Sequence, residues 1–131
     1  MREELSERFL QLVQEARSRV REMSPGEVEA RRLAGDGRVH VVDIRDDKAW
    51  VLGHIQGAER IGRELLERDL RERAELQDSE IVICSGSGLR SILVADVLTR
   101  MGFRHVASLA GGFNAWRAAG FPFEGQQHAE L

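Results

Sequence analysis

Apolar positions recur three and four residues apart at the start of the chain. Leu5, Phe9, Leu12, Val13, Ala16 and Val20 form one stripe with charges between them, so residues 4–21 read as an amphipathic helix. Such a helix packs on its own domain or pairs with a second copy in a homodimer. In "SPGE", Ser24 can cap a second helix, Pro25 suits its first position and Glu27 completes a capping box; that helix extends to about Leu33. The periodicity then changes. "VHVVDI" (Val39 to Ile44) and "EIVIC" (Glu80 to Cys84) are short, nearly continuous apolar runs, the pattern of strands buried on both faces of a parallel sheet.

Between them, "DKAWVLG" (Asp47 to Gly53) predicts a short helix and "HIQGA" (His54 to Ala58) a turn into an edge strand. "RELLERDLRER" (Arg63 to Arg73) predicts a charged surface helix. After Cys84 come a glycine-rich turn, a helix over Ser91 to Met101, a strand over His105 to Leu109 and a closing helix over Gly111 to Gly120. "FPFEGQQHAEL" reads as a polar tail. Strands alternating with helices imply an α/β fold, a parallel sheet covered on both faces.

Composition narrows the function classes. The 131 residues suit one domain. With 19 Lys and Arg against 22 Asp and Glu there is no basic stripe for nucleic acid. No apolar run is long enough to span a membrane, and the charged N-terminus does not resemble a secretory signal. The single cysteine cannot form an internal disulfide, which fits the cytoplasm. His40, His105 and His128 share no metal-ligand spacing, so neither a metal nor a cofactor is expected. Trp50, Phe113 and Trp116 read as core, and His54 as a hydrogen-bonded structural group.

"CSGSGLRS" (Cys84 to Ser91) carries the candidate chemistry. A strand, a glycine turn and a helix place functional atoms beyond the carboxyl end of a sheet, where open α/β folds bind ligands. Gly86 and Gly88 allow positive φ, turning the amides of residues 85–90 (Ser85, Gly86, Ser87, Gly88, Leu89 and Arg90) inward. A helix N-terminus and Arg90 add positive charge. The expected product is an anion cradle.

"VVDIRD" (Val41 to Asp46), "GHIQGAERI" (Gly53 to Ile61), "IVICSGSGLRSILVADVLTRMGF" (Ile81 to Phe103) and "LAGGFNAWRAAGFP" (Leu109 to Pro122) together resemble the single-domain rhodanese family in order and spacing. The resemblance implies a parallel sheet of about five strands between helices, here with an extra N-terminal helix. It divides the chain into an N-terminal helix (1–23), a rhodanese domain (24–122) and a polar tail (123–131). It also implies sulfur transfer, in which a loop cysteine takes sulfane sulfur from an anion such as thiosulfate and passes it to a thiol or cyanide. It places Asp43 and Arg45 beside the loop, with Asp43 holding loop donors. Arg63 and Glu67 would border the mouth of the site.

The chain departs from the family at the nucleophile. The family pattern has cysteine, four variable residues, then arginine and serine. Counting back from Arg90 without a gap lands on Ser85 and leaves Cys84 as the last residue of the strand, a small buried hydrophobe. Natural divergence to a binding module and a deliberate cysteine-to-serine change both fit Ser85. Taking Cys84 as the nucleophile instead requires an inserted residue. The loop then resembles a phosphatase signature, although Ile83 stands where that signature has histidine.

Overall fold

A computed structural model describes residues 6–35, 38–72 and 79–126. The first half contains α1 (Glu7–Arg17), β1 (Arg21–Met23), α2 (Pro25–Leu33), β2 (Val39–Asp43), α3 (Asp47–Leu52), β3 (His54–Ile55) and β4 (Glu59–Arg60). The second contains α4 (Arg63–Arg71), β5 (Glu80–Cys84), α5 (Arg90–Arg100), β6 (Val106–Leu109), α6 (Gly112–Ala118) and β7 (Phe123–Glu124). Five strands form one parallel sheet in the order β1-β6-β5-β2-β4. No helix among the described residues is long and apolar enough to cross a membrane.

Alternation along β5 builds two cores. Ile81 and Ile83 face one side, where they meet Leu66 and Leu70 of α4 and Ala95 and Leu98 of α5. Val82 and Cys84 face the other, among Val28 of α2, Phe113 and Trp116 of α6, and Met23. Burying each of the large side chains contributes about 2 kcal/mol. Glu80 begins this buried strand with a carboxylate, which Arg21 and Arg31 each approach at 2.8 Å.

The N-terminal helix is shorter than its apolar stripe. The Ser6 hydroxyl accepts the Phe9 amide at 3.0 Å and caps α1. At the other end the Arg19 amide returns to the Ala16 carbonyl at 2.8 Å, and the chain turns into β1. Arg21–Met23 therefore belongs to the sheet, not to an N-terminal helical segment, and pairs with Ala107 to Leu109. Only Met23 of the three is fully buried, so the edge strand has no apolar run of its own. Val13 and Ala16 pack on Ile92, seating α1 against α5.

The start of the expected polar tail is also structured. Phe123–Glu124 pairs antiparallel with His54–Ile55, and Phe123 meets Phe113 edge-on at 5.7 Å.

Candidate active site

The loop over residues 85–89 joins β5 to α5 at the carboxyl end of the sheet. Its first side chain turns inward. The Ser85 hydroxyl accepts the Gly88 amide at 3.1 Å and the Ser91 amide at 3.4 Å, and donates to the Ser91 hydroxyl at 3.1 Å. Ser91 in turn bonds the Ser108 hydroxyl of β6 at 2.7 Å. Two amides thus converge on one oxygen, at the start of a helix that adds its own positive end. The amides of Gly86, Ser87, Leu89 and Arg90 have no acceptor among the described residues.

The loop carbonyls explain how it is held. The Phe113 amide donates to the Ser85 carbonyl at 2.8 Å, and the Asn114 amide to that of Gly86 at 3.1 Å. The orphan amides of the first turn of α6 are thereby satisfied by the loop. This grip needs the adjacent glycines Gly111 and Gly112, where the sequence pattern predicts only a helix. Gly112, at φ 62°, lies where a Cβ would fall 2.6 Å from the Gly86 oxygen. Within the loop, only Gly88 takes a positive φ, 89°, and its Cβ would meet the Gly111 nitrogen at 2.6 Å. Gly86 does not, contrary to expectation; nothing lies within 4 Å of where its Cβ would be. The adjacent glycines of "LAGGF" were the available signal.

The Cys84 side chain lies in the core around Met23, Val82 and Trp116, its thiol donating to the Ser85 carbonyl at 3.5 Å. It is fully buried. Burial, then the neighbouring Asp43 carboxylate, push its thiol pKa far above the ordinary value, and Arg45 and the Phe113 amide offset this only partly.

Asp43 pairs with Cys84 across the β2–β5 register. Its carboxylate was expected to hold loop donors; it is occupied by Arg45 instead. The Arg45 amide donates to Oδ1 at 2.9 Å, and the guanidinium donates through Nε and through Nη2, at 2.8 Å. Arg45 also reaches the Gly53 carbonyl at 2.7 Å and lies 4.5 Å over the Phe113 ring. Arg45, two residues away, supplies both the amide and the guanidinium that the carboxylate accepts. Arg45 forms one wall of a cleft of about 410 Å³, completed by Ile44, Asp46, Ala49, Ser85, Gly86 and Arg90; Asp43 itself is fully buried. Ser85, 5% exposed, lies at its floor. A groove of about 450 Å³ between α4 and α5 shares none of these residues and is lined by Leu66, Leu93, Val97 and other apolar side chains, with Glu64.

His54 is structural, as expected: Nδ1 donates to the Trp50 carbonyl at 2.7 Å, and the ring stacks on Trp50 at 3.5 Å. Trp116 and Phe113 are core. Trp50, expected there too, is only half-buried under His54. The side chains of Arg63 and Glu67, and all of His128, lie outside the described residues. Among those described, no group of three or more His, Cys, Asp or Glu could hold a metal ion.

The family model for the rhodanese-like domain matches residues 26–119. The chain belongs to the rhodanese-like domain family. Thiosulfate sulfurtransferase GlpE of Ectopseudomonas mendocina (strain ymp) is 39% identical over 102 residues, covering 78% of this chain and 90% of the relative. Among solved structures, a protein of unknown function from Rhodopseudomonas palustris CGA009, described as a possible tyrosine phosphatase, is 31% identical. It covers 95% of this chain and 99% of its own, with a TM-score of 0.82. The rhodanese-like domain of the Anabaena sp. protein Alr3790 is 26% identical, with 84% and 83% covered and a TM-score of 0.74. α1 and β1 lie outside the family match.

Proposed function

We propose that this chain carries the anion site of a rhodanese-type sulfurtransferase, with Ser85 at the position of the sulfur-bearing cysteine. The parent activity moves sulfane sulfur from an anion such as thiosulfate to a small-molecule or protein thiol, or to cyanide. The observation that carries the reading is the orientation of two neighbouring side chains. The Ser85 hydroxyl receives the Gly88 and Ser91 amides on the cleft floor, whereas Cys84 is buried in the core.

Donors that hold an oxygen at Ser85 would hold a thiolate there and lower its pKa from about 8.5 toward neutrality. A serine hydroxyl ionises far above that range and needs an adjacent base. The Ser85 proton goes to Ser91, another hydroxyl; Asp43 is engaged by Arg45, and His54 by Trp50. An alkoxide would also lack the S–S bond that stores the sulfur. The chain as it stands therefore binds a small sulfur-containing anion, Arg90 and the loop amides supplying the charge, and transfers little or none. In this form it is a non-catalytic anion- or partner-binding module on an enzyme's scaffold, requiring no cofactor and suited to a reducing compartment such as the cytoplasm.

A phosphatase reading draws on the similarity to the Rhodopseudomonas palustris protein. It needs Cys84 as nucleophile, and a buried thiol whose pKa is pushed up does not favour it.

The test is thiosulfate:cyanide sulfur transfer by the chain, Ser85→Cys and Cys84→Ala. Activity should arise in Ser85→Cys alone. Activity in the unchanged chain that Cys84→Ala abolishes would overturn the proposal.

A further inference from the structure

Arg90 is exposed at the cleft rim and has no carboxylate partner among the described residues. A long side chain so placed loses rotamer freedom when it engages an anion, which weakens binding. One contact limits that freedom here. The Arg90 guanidinium lies over the ring of Phe9, its Cζ 5.2 Å from the centroid, within the range of a cation–π interaction.

Phe9 is fixed in its turn. Its amide is taken by the Ser6 cap, and its ring packs beside Val13, Ala16 and Ile92. Further along, Arg19 donates to both Asp96 oxygens of α5, at 3.0 and 2.8 Å. The N-terminal helix is thus bound to the helix that begins at Arg90, with an aromatic face under the guanidinium.

From this we infer that α1 is part of the anion site, with Phe9 as a positioning residue that holds Arg90 at the cleft. The inference rests on the proposed role of Arg90 and adds a residue outside the rhodanese match. Phe9 touches no anion itself; it acts by leaving Arg90 less to lose on binding.

Thiosulfate titrated calorimetrically into the full chain tests this, using Phe9→Leu, Phe9→Trp, Arg90→Gln and the Phe9→Leu/Arg90→Gln double variant. Phe9→Leu should weaken binding roughly two- to five-fold, the size expected of an exposed cation–π contact, and Phe9→Trp should bind at least as tightly as the parent. Phe9→Leu should cost nothing further once Arg90 is Gln. In the Ser85→Cys background, Phe9→Leu should raise KM for thiosulfate and leave kcat unchanged.

Unchanged affinity in Phe9→Leu with a loss in Arg90→Gln would overturn the inference and leave the site reading intact. So would an equal loss from Phe9→Leu in both backgrounds, or weaker binding by Phe9→Trp. Unchanged affinity in Arg90→Gln would remove the site reading itself and this inference with it.

Discussion

The carbonyl oxygen of Ser85 stands where a side chain on Gly112 would begin. The same oxygen accepts the Phe113 amide at 2.8 Å, so loop and helix cannot part without losing a buried hydrogen bond. Gly112→Ala should lower stability by about 3 kcal/mol or more, combining a left-handed backbone with a backbone clash. Gly86→Ala has open space and no positive φ and should stay within about 1 kcal/mol of the parent. Urea unfolding of the two variants checks the contrast.

Cys84 should resist alkylation at neutral pH in the native chain and react at the rate of an ordinary thiol once urea unfolds it. Its raised pKa also sets a pH dependence. The unfolded thiol ionises near about 8.5, while the folded one stays neutral well above that. This contribution to stability is complete below the unfolded value and is lost as pH rises past it toward the folded one. Unfolding midpoints measured from neutral to alkaline pH should fall more steeply for the parent than for Cys84→Ala.

Asp43 is buried against Arg45 at 2.8 Å. Removing the guanidinium alone leaves a buried carboxylate without its cation. Arg45→Met should destabilise by about 3–5 kcal/mol, the cost of breaking a buried pair. Asp43→Asn/Arg45→Met should recover part of that loss, and a double-mutant cycle on unfolding free energies reads the coupling.

Asp96 holds α1 to α5 through Arg19, and Arg100 joins it at 3.0 Å. The hydrogen bond from Arg19, reinforced by the charges of Arg100 and Arg19, keeps its carboxyl below the usual range despite burial. The stability it adds is present above the unfolded carboxylate value and is lost as pH falls through the lower folded one. Asp96→Asn should therefore lower Tm at neutral pH, with the gap closing below about pH 4.

The sheet's centre was legible because β2 and β5 are buried on both faces and so consist of apolar runs. The burial of Cys84 followed from the spacing to Arg90 and the alternation along Ile81–Cys84. β1 and β7 were not legible: they contribute three and two residues, held by pairing to β6 and β3, and backbone pairing leaves no apolar pattern. The engagement of Asp43 by Arg45 escaped for another reason, since spacing cannot say which of several donors reaches a buried acid first. Phe9 beneath Arg90 joins residues far apart in the sequence, and only the packing of α1 on α5 brings them together.

The position of the reactive atom can be read directly from intact mass. The chain, Ser85→Cys and Ser85→Cys/Cys84→Ala would be incubated with thiosulfate, desalted without reductant and weighed, with peptide mapping to locate any added sulfur. A thiolate attacking the sulfane sulfur forms an S–S bond and releases sulfite with the electron pair of the broken bond, so each loaded chain gains one sulfur atom. Both Ser85→Cys variants should gain it, on residue 85, and the parent should gain none. One sulfur on Cys84 of the parent would contradict the account.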